Sequence, residues 1–137
     1  MKKKILIASI ILIIFVVAII IVKKMNRILK DIDAKEVTSI NVQDIGKYYT
    51  IDKQEDIEYF IQNLAQMDIK IQPLPHNVDG GRGSIEIMKD DKMLVGIGLT
   101  SERFNVNGFC FSIEDKDFDR ICEIINELSL NYEVHYY

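Results

Sequence analysis

The chain has 137 residues, enough for one ordinary domain beside an apolar N-terminal segment, with 17 basic and 21 acidic side chains and a formal net charge of −4. That balance hides a division: residues 1–30 carry seven basic groups (Lys2, Lys3, Lys4, Lys23, Lys24, Arg27, Lys30) and no acid, whereas residues 36–137 carry 9 basic and 19 acidic groups, a net of −10. A domain that acidic repels phosphate backbones, which argues against nucleic acid as a partner.

Residues 5–22 form 18 consecutive positions without a charge; only Ser9 is polar, and fifteen of the 18 are Ile, Leu, Val or Phe. At roughly −0.3 to −0.6 kcal/mol each on insertion scales, those fifteen favour the bilayer by about 5 to 9 kcal/mol as an upper bound. A buried helix of a soluble protein normally keeps a polar stripe, and this run has none. The segment is read as a membrane span over 5–22, with the lipid bilayer as its partner. Val16-Val17-Ala18 offers a small-x-small cleavage site, but Ile19 to Val22 would follow it directly, so an uncleaved signal anchor is preferred to a signal peptide. Lysines flank both ends, leaving the positive-inside balance nearly even. The Met1-Lys2-Lys3-Lys4 start before an apolar run is that of bacterial export signals and favours a soluble domain outside the cytoplasmic membrane.

Residues 23–35 read as a charged juxtamembrane stalk, and 36–137 as an acidic soluble domain. Alternation over 37–43, with Ile40 and Val42 on one face, predicts a half-exposed strand; Asp44-Ile45-Gly46 is a turn into a second strand over 47–51. Asp52 and Glu55 have capping-box spacing and predict a helix over 53–67. Its apolar stripe is Ile57, Phe60, Ile61, Leu64 and Met67. A short strand over 69–72 stops at Pro73 and Pro75, and 73–83 is the longest irregular segment. Residues 84–89 and 92–99 form a hairpin across Asp90-Asp91, with Leu94 left to choose a face between Met93 and Val95. Residues 104–106 and 109–112 form another across Asn107-Gly108, two residues that tolerate positive φ. Asp115 is expected to cap a second helix over 116–128, with Phe118, Ile121, Cys122, Ile125 and Leu128 inward. Residues 130–137 alternate again, as a last edge strand or a frayed tail. The fold class expected is α+β: an N-terminal transmembrane helix, then a mostly antiparallel sheet packed on one face by two helices.

The run Asp52-Lys53-Gln54-Glu55-Asp56-Ile57, the hairpin Ser84-Ile85-Glu86-Ile87 with residues 92–97, and Val106-Asn107-Gly108-Phe109 before the Asp115 helix resemble small membrane-anchored extracytoplasmic domains of unknown function from Gram-positive bacteria. The resemblance covers about residues 37–128. It implies an extracytoplasmic location and no assigned activity, and it supplies no catalytic residue.

Five residues of the irregular segment, His76, Asp79, Gly80, Gly81 and Arg82, are the candidate contact loop, since a loop of that length without regular structure in a small domain is functional or mobile. The glycines suggest a phosphate cradle, but Ser84 leads into a strand rather than a helix and no Lys-Ser/Thr pair follows. His76 with Asp79 lacks the further ligands of a metal site, and His135 stands alone in the tail. Glu114, Asp115, Asp117 and Asp119 fit a helix N-terminus, where the macrodipole favours negative charge; they lack ordered calcium-loop spacing. Cys110 and Cys122 are read as two reduced, buried cysteines, with one disulfide as the alternative. Tyr48, Tyr49, Tyr132, Tyr136 and Tyr137 cover sheet edges or form a recognition patch. No catalytic residue, metal or cofactor is expected. The reading is a non-catalytic interaction module contacting another envelope protein; the alternatives are a small envelope hydrolase using the 73–83 loop and a cytosol-facing membrane-tethered regulator.

Overall fold

The computed structural model describes residues 1–72, 81–100 and 104–137, the Lys2 side chain excepted. Helix α1 (Lys2–Asn26) contains neither proline nor glycine, and its main chain satisfies its own hydrogen bonds, as lipid requires. Ser9, the single polar side chain of the apolar run, donates to the Ile5 carbonyl at 2.9 Å. Residues 3–22 are all exposed, so the apolar run of α1 is left uncovered by the rest of the described protein. The helix is long and apolar enough to cross a membrane.

The segment after α1 is woven into the domain rather than hanging free as a stalk. The chain keeps winding for another turn, with Ile28 N–H bonded to Met25 and Asp31 N–H to Arg27. Leu29 is 1% exposed and lies in the main core, with Met25, Ile28 and Ile32 packed against its edge. Asn26 Oδ1 accepts from the Ile71 N–H at 2.8 Å, and Lys30 pairs with Asp68 at 3.3 Å. The core therefore begins upstream of residue 36. A 3-10 turn over Ala34–Glu36, capped by the Asp33 side chain accepting from Lys35 N–H, leads to the sheet.

The remaining elements are β1 (Ser39–Asp44), β2 (Lys47–Ile51), α2 (Gln54–Ala65), β3 (Ile69–Ile71), β4 (Gly83–Lys89), β5 (Lys92–Leu99), β6 (Phe104–Val106), β7 (Phe109–Ile113), α3 (Asp115–Ser129) and β8 (His135–Tyr136). They build one antiparallel sheet in the order β3-β7-β6-β5-β4-β1-β2-β8. The class is the α+β expected. β4 to β7 form a meander, and the β1–β2 hairpin joins it through β4. Helix α2 passes from β2 to β3 at the opposite edge, and α3 returns from β7 to β8. Ile40, Val42, Ile85, Ile87, Val95, Ile97, Leu99, Phe104, Val106 and Phe111 alternate inward beneath these helices. Their stripes are Ile57, Phe60, Ile61 and Leu64 on α2, and Ile121, Cys122, Ile124, Ile125 and Leu128 on α3. Arg120 on α3 latches the pair, donating to the Tyr59 hydroxyl at 2.9 Å and to Asn63 Oδ1 at 3.2 Å.

Several local expectations are corrected. The first strand is Ser39–Asp44, not 37–43: Val37 is buried yet Thr38 is exposed, which breaks the alternation before the strand begins. Asp52 does not cap α2. The cap position is Lys53, which makes no side-chain cap bond; its N–H reaches the Tyr132 hydroxyl at 3.4 Å, and that hydroxyl donates to Asp56 Oδ2 at 2.6 Å. Asp115 is likewise the first residue of α3, not its cap, which is Glu114. The alternation over 130–137 condenses to the two-residue β8. The β4–β5 pairing slips between Ile87↔Val95 and Met88↔Met93, so Leu94 is the extra residue of a β-bulge. At the β6–β7 turn Asn107 (φ +50°) and Gly108 (φ +85°) adopt the paired positive φ their sequence predicts.

Candidate functional site

Of the five candidate loop residues, His76, Asp79 and Gly80 lie outside the described residues. Gly81 and Arg82 lead directly into β4. Arg82 is held on three sides: its N–H donates to the Leu99 carbonyl at 2.7 Å, its carbonyl accepts from Ile45 N–H at 3.1 Å, and its Nε donates to Asp44 Oδ1 at 2.8 Å. Asp44 ends β1 with only 2% of its surface exposed, and Lys47 Nζ stands 4.0 Å from its second oxygen. The hydrogen bond to Asp44 raises the Arg82 pKa, so the guanidinium stays charged. Arg82 thus closes the end of the sheet at the β1–β2 turn. Burial pushes the nearby Cys122 thiol up despite the opposing pull of Arg82, which makes it a poor nucleophile.

Cys110 and Cys122 are both free. Cys110 is half-buried rather than buried: it alternates with buried Phe111 and so faces away from the helices, whereas Cys122 sits on α3 above the core. The sheet lies between them. His135 stacks on Tyr48 at 5.4 Å between ring centroids, an edge contact between β8 and β2. In the acidic cluster at the start of α3, Glu114 pairs with Lys116 at 2.9 Å, and Asp117 accepts from the Asp68 N–H at 3.3 Å. Among the described residues, no group of three or more His, Cys, Asp or Glu side chains is arranged to hold a metal. Tyr49 and Tyr132 turn inward and stack at 6.2 Å, so the five tyrosines do not gather on one patch.

A concave feature lies on the helix-free face of the sheet. A shallow depression of about 690 Å³ runs along β5, where Gly96 and Gly98 present no side chain. Its walls are Ser84 and Glu86 on β4 and Asn105 on β6, with Asn107 at the turn. Asn107 fixes this wall by a two-way clamp on Gly96: its Oδ1 accepts from Gly96 N–H at 2.8 Å, and its own N–H donates to the Gly96 carbonyl at 2.8 Å. A Cβ on Gly96 would stand 3.1 Å from Met93 Sδ, and one on Gly98 3.3 Å from Asn105 Cβ, so side chains there would fill the floor. The face continues across β1 and β2 through linked polar groups: Thr50 donates to Asn41 at 3.0 Å, Asn41 to Glu86 at 3.4 Å, and Gln43 to the Tyr137 hydroxyl at 2.6 Å. Among the described residues, amides, hydroxyls and one carboxylate, all able to exchange hydrogen bonds, line this surface.

No single residue type in the sequence marks this face. Its signal is Gly96-Ile97-Gly98 inside a predicted strand, since glycine at alternate positions clears one face while its neighbour keeps the core. Comparison with known protein families, with curated proteins and with solved structures finds no match for this chain.

Proposed function

We propose that the protein is a single-pass, membrane-anchored interaction domain of the cell envelope, non-catalytic, with its acidic domain outside the cytoplasmic membrane. The observation that carries this reading is the bare apolar surface of α1, exposed over residues 3–22 and joined without a break to a folded domain. Surface of that extent is not sustained in water, and a bilayer covers it at no structural cost. The three lysines before the span favour a cytoplasmic N-terminus. The partner is another envelope protein, met across the depression over Gly96 and Gly98. An acidic domain favours a neutral or basic segment, and the amide-lined floor suits a partner's main chain.

Orientation is tested by labelling Asn131→Cys, an exposed position after α3, in a Cys110→Ser background of intact cells. The proposal expects reaction with an impermeant maleimide before lysis. Labelling only after lysis would place the domain in the cytosol and favour the tethered-regulator alternative.

A further inference from the structure

Where α1 passes into the domain, a second hollow of about 380 Å³ opens between residues 24–36 and β5. Met25, Ile28 and Ile32 form one wall and Leu94 and Val95 the other. Two features set it apart from the polar depression. The first is continuity: Ile21, Met25, Ile28 and Ile32 recur at steps of four, three and four, so the exposed apolar surface of α1 runs on into the hollow. The second is its β5 wall, where buried Val95, which does not border the depression, stands beside Leu94, the extra residue of the β-bulge, which borders both. Met25 lies three residues beyond Val22, about 4.5 Å at 1.5 Å per residue, which puts the hollow at the boundary between acyl chains and headgroups.

Charge at the rim is mixed. Lys24, Asp31, Asp33 and Glu36 all border the hollow. The three acids are engaged within the protein: Asp31 with Arg27 at 3.7 Å, Glu36 with Lys89 at 3.1 Å, and Asp33 with Lys35 N–H at 3.0 Å. Asp33, bonded only to a neutral N–H, keeps its negative charge, whereas Lys24, two residues beyond the span, has no ion pair among the described residues and presents a cation at the membrane side of the mouth. We infer that this hollow is a phospholipid site, taking the upper part of an acyl chain against Ile28, Ile32 and Leu94 and an anionic phosphate at Lys24. The inference rests on the membrane-anchored reading and adds to it a lipid contact made by the folded domain.

The test places a benzophenone-bearing amino acid at Leu94, and separately at Ile13 within the span, in the full chain reconstituted into vesicles of phosphatidylcholine and phosphatidylglycerol. Adducts are identified by mass spectrometry after irradiation. Lipid adducts at both positions are expected, with Lys24→Glu lowering the phosphatidylglycerol adduct at Leu94 and leaving that at Ile13 unchanged. Adducts at Ile13 but none at Leu94, or only protein adducts at Leu94, would overturn the lipid site and leave the anchor standing. An equal yield at Leu94 with Lys24→Glu would overturn the phosphate contact. Absence of lipid adducts at both positions would remove the anchored reading together with the inference.

Discussion

The side-chain oxygen of Asn26, the last residue of α1, accepts a 2.8 Å hydrogen bond from the backbone N–H of Ile71 on the edge strand β3. This bond ties the apolar helix to the far end of an eight-stranded sheet and helps to occupy an edge that would otherwise offer a free donor. Replacing Asn26 by Leu removes the acceptor and keeps the helix. The expected cost is about 0.5–1.5 kcal/mol. Hydrogen exchange at the Ile71 amide should quicken while amides of β4 and β5 keep their protection; unchanged exchange at Ile71 would contradict the link.

Leu29 carries the same connection by packing. Fully buried in the core cluster, it should cost about 2–5 kcal/mol when replaced by Ala, as other large-to-small core changes do. The measurement is denaturant unfolding of the detergent-solubilised full chain. A change within about 0.5 kcal/mol, typical of surface positions, would mean that residues 23–35 are a free stalk after all.

Gly83 makes the closest approach in the sheet. A Cβ there would lie 2.0 Å from the Gln43 carbonyl oxygen and 3.0 Å from Asp44 Cα, both main-chain atoms that cannot rotate aside. Gly83→Ala should therefore part β1 from β4 and cost about 1–3 kcal/mol or more. Gly81→Ala is the matched control, since among the described residues its Cβ would meet only the Leu99 carbonyl, at 3.7 Å. Equal stabilities for the two variants would refute the close contact.

Tyr49 should contribute to the pH dependence at the alkaline end. Burial, and then the Asp44 charge, raise its pKa above the usual tyrosine value, and its hydroxyl donates to the Ile125 carbonyl at 2.6 Å. A folded-state pKa above that of the unfolded chain gives stability that is complete below pH about 10 and is lost as pH rises towards the folded value, because the unfolded chain ionises first. Tyr132, raised chiefly by burial and by donating to Asp56, adds to the same slope. Tyr49→Phe should be less stable near neutrality by about 1 kcal/mol and lose less on going from pH 9 to pH 11. Parallel pH profiles for the two proteins would exclude Tyr49 as the titrating group.

Elements with strong periodicity were readable in the chain itself. The apolar run of α1 and the Asn107-Gly108 turn depend on neighbours within a few residues and appear where expected, and so do most of the stripes of α2 and α3; Met67 lies past the end of α2, Phe118 is only half-buried, and Ile124 joins the buried face of α3. Features set by distant partners were not readable. The start of α2 uses the hydroxyl of Tyr132, 79 residues away, where a local Asp52 cap was expected. Residues 23–35 read as a charged stalk because their charges outnumber Leu29, yet that one leucine is fixed by the core. The Arg82–Asp44 pair joins residues 38 apart and turns a candidate contact residue into part of the framework. The depression over Gly96 and Gly98 needed the sheet order, because only pairing with β4 and β6 gives those glycines walls.

Membrane attachment through α1 is most directly tested by separating membranes from an expressing cell, washing them at alkaline pH, and weighing the recovered chain by mass spectrometry. The full 137-residue polypeptide should stay with the membrane pellet and enter solution only with detergent. Recovery of the intact, unprocessed chain in the detergent-free supernatant would contradict the account.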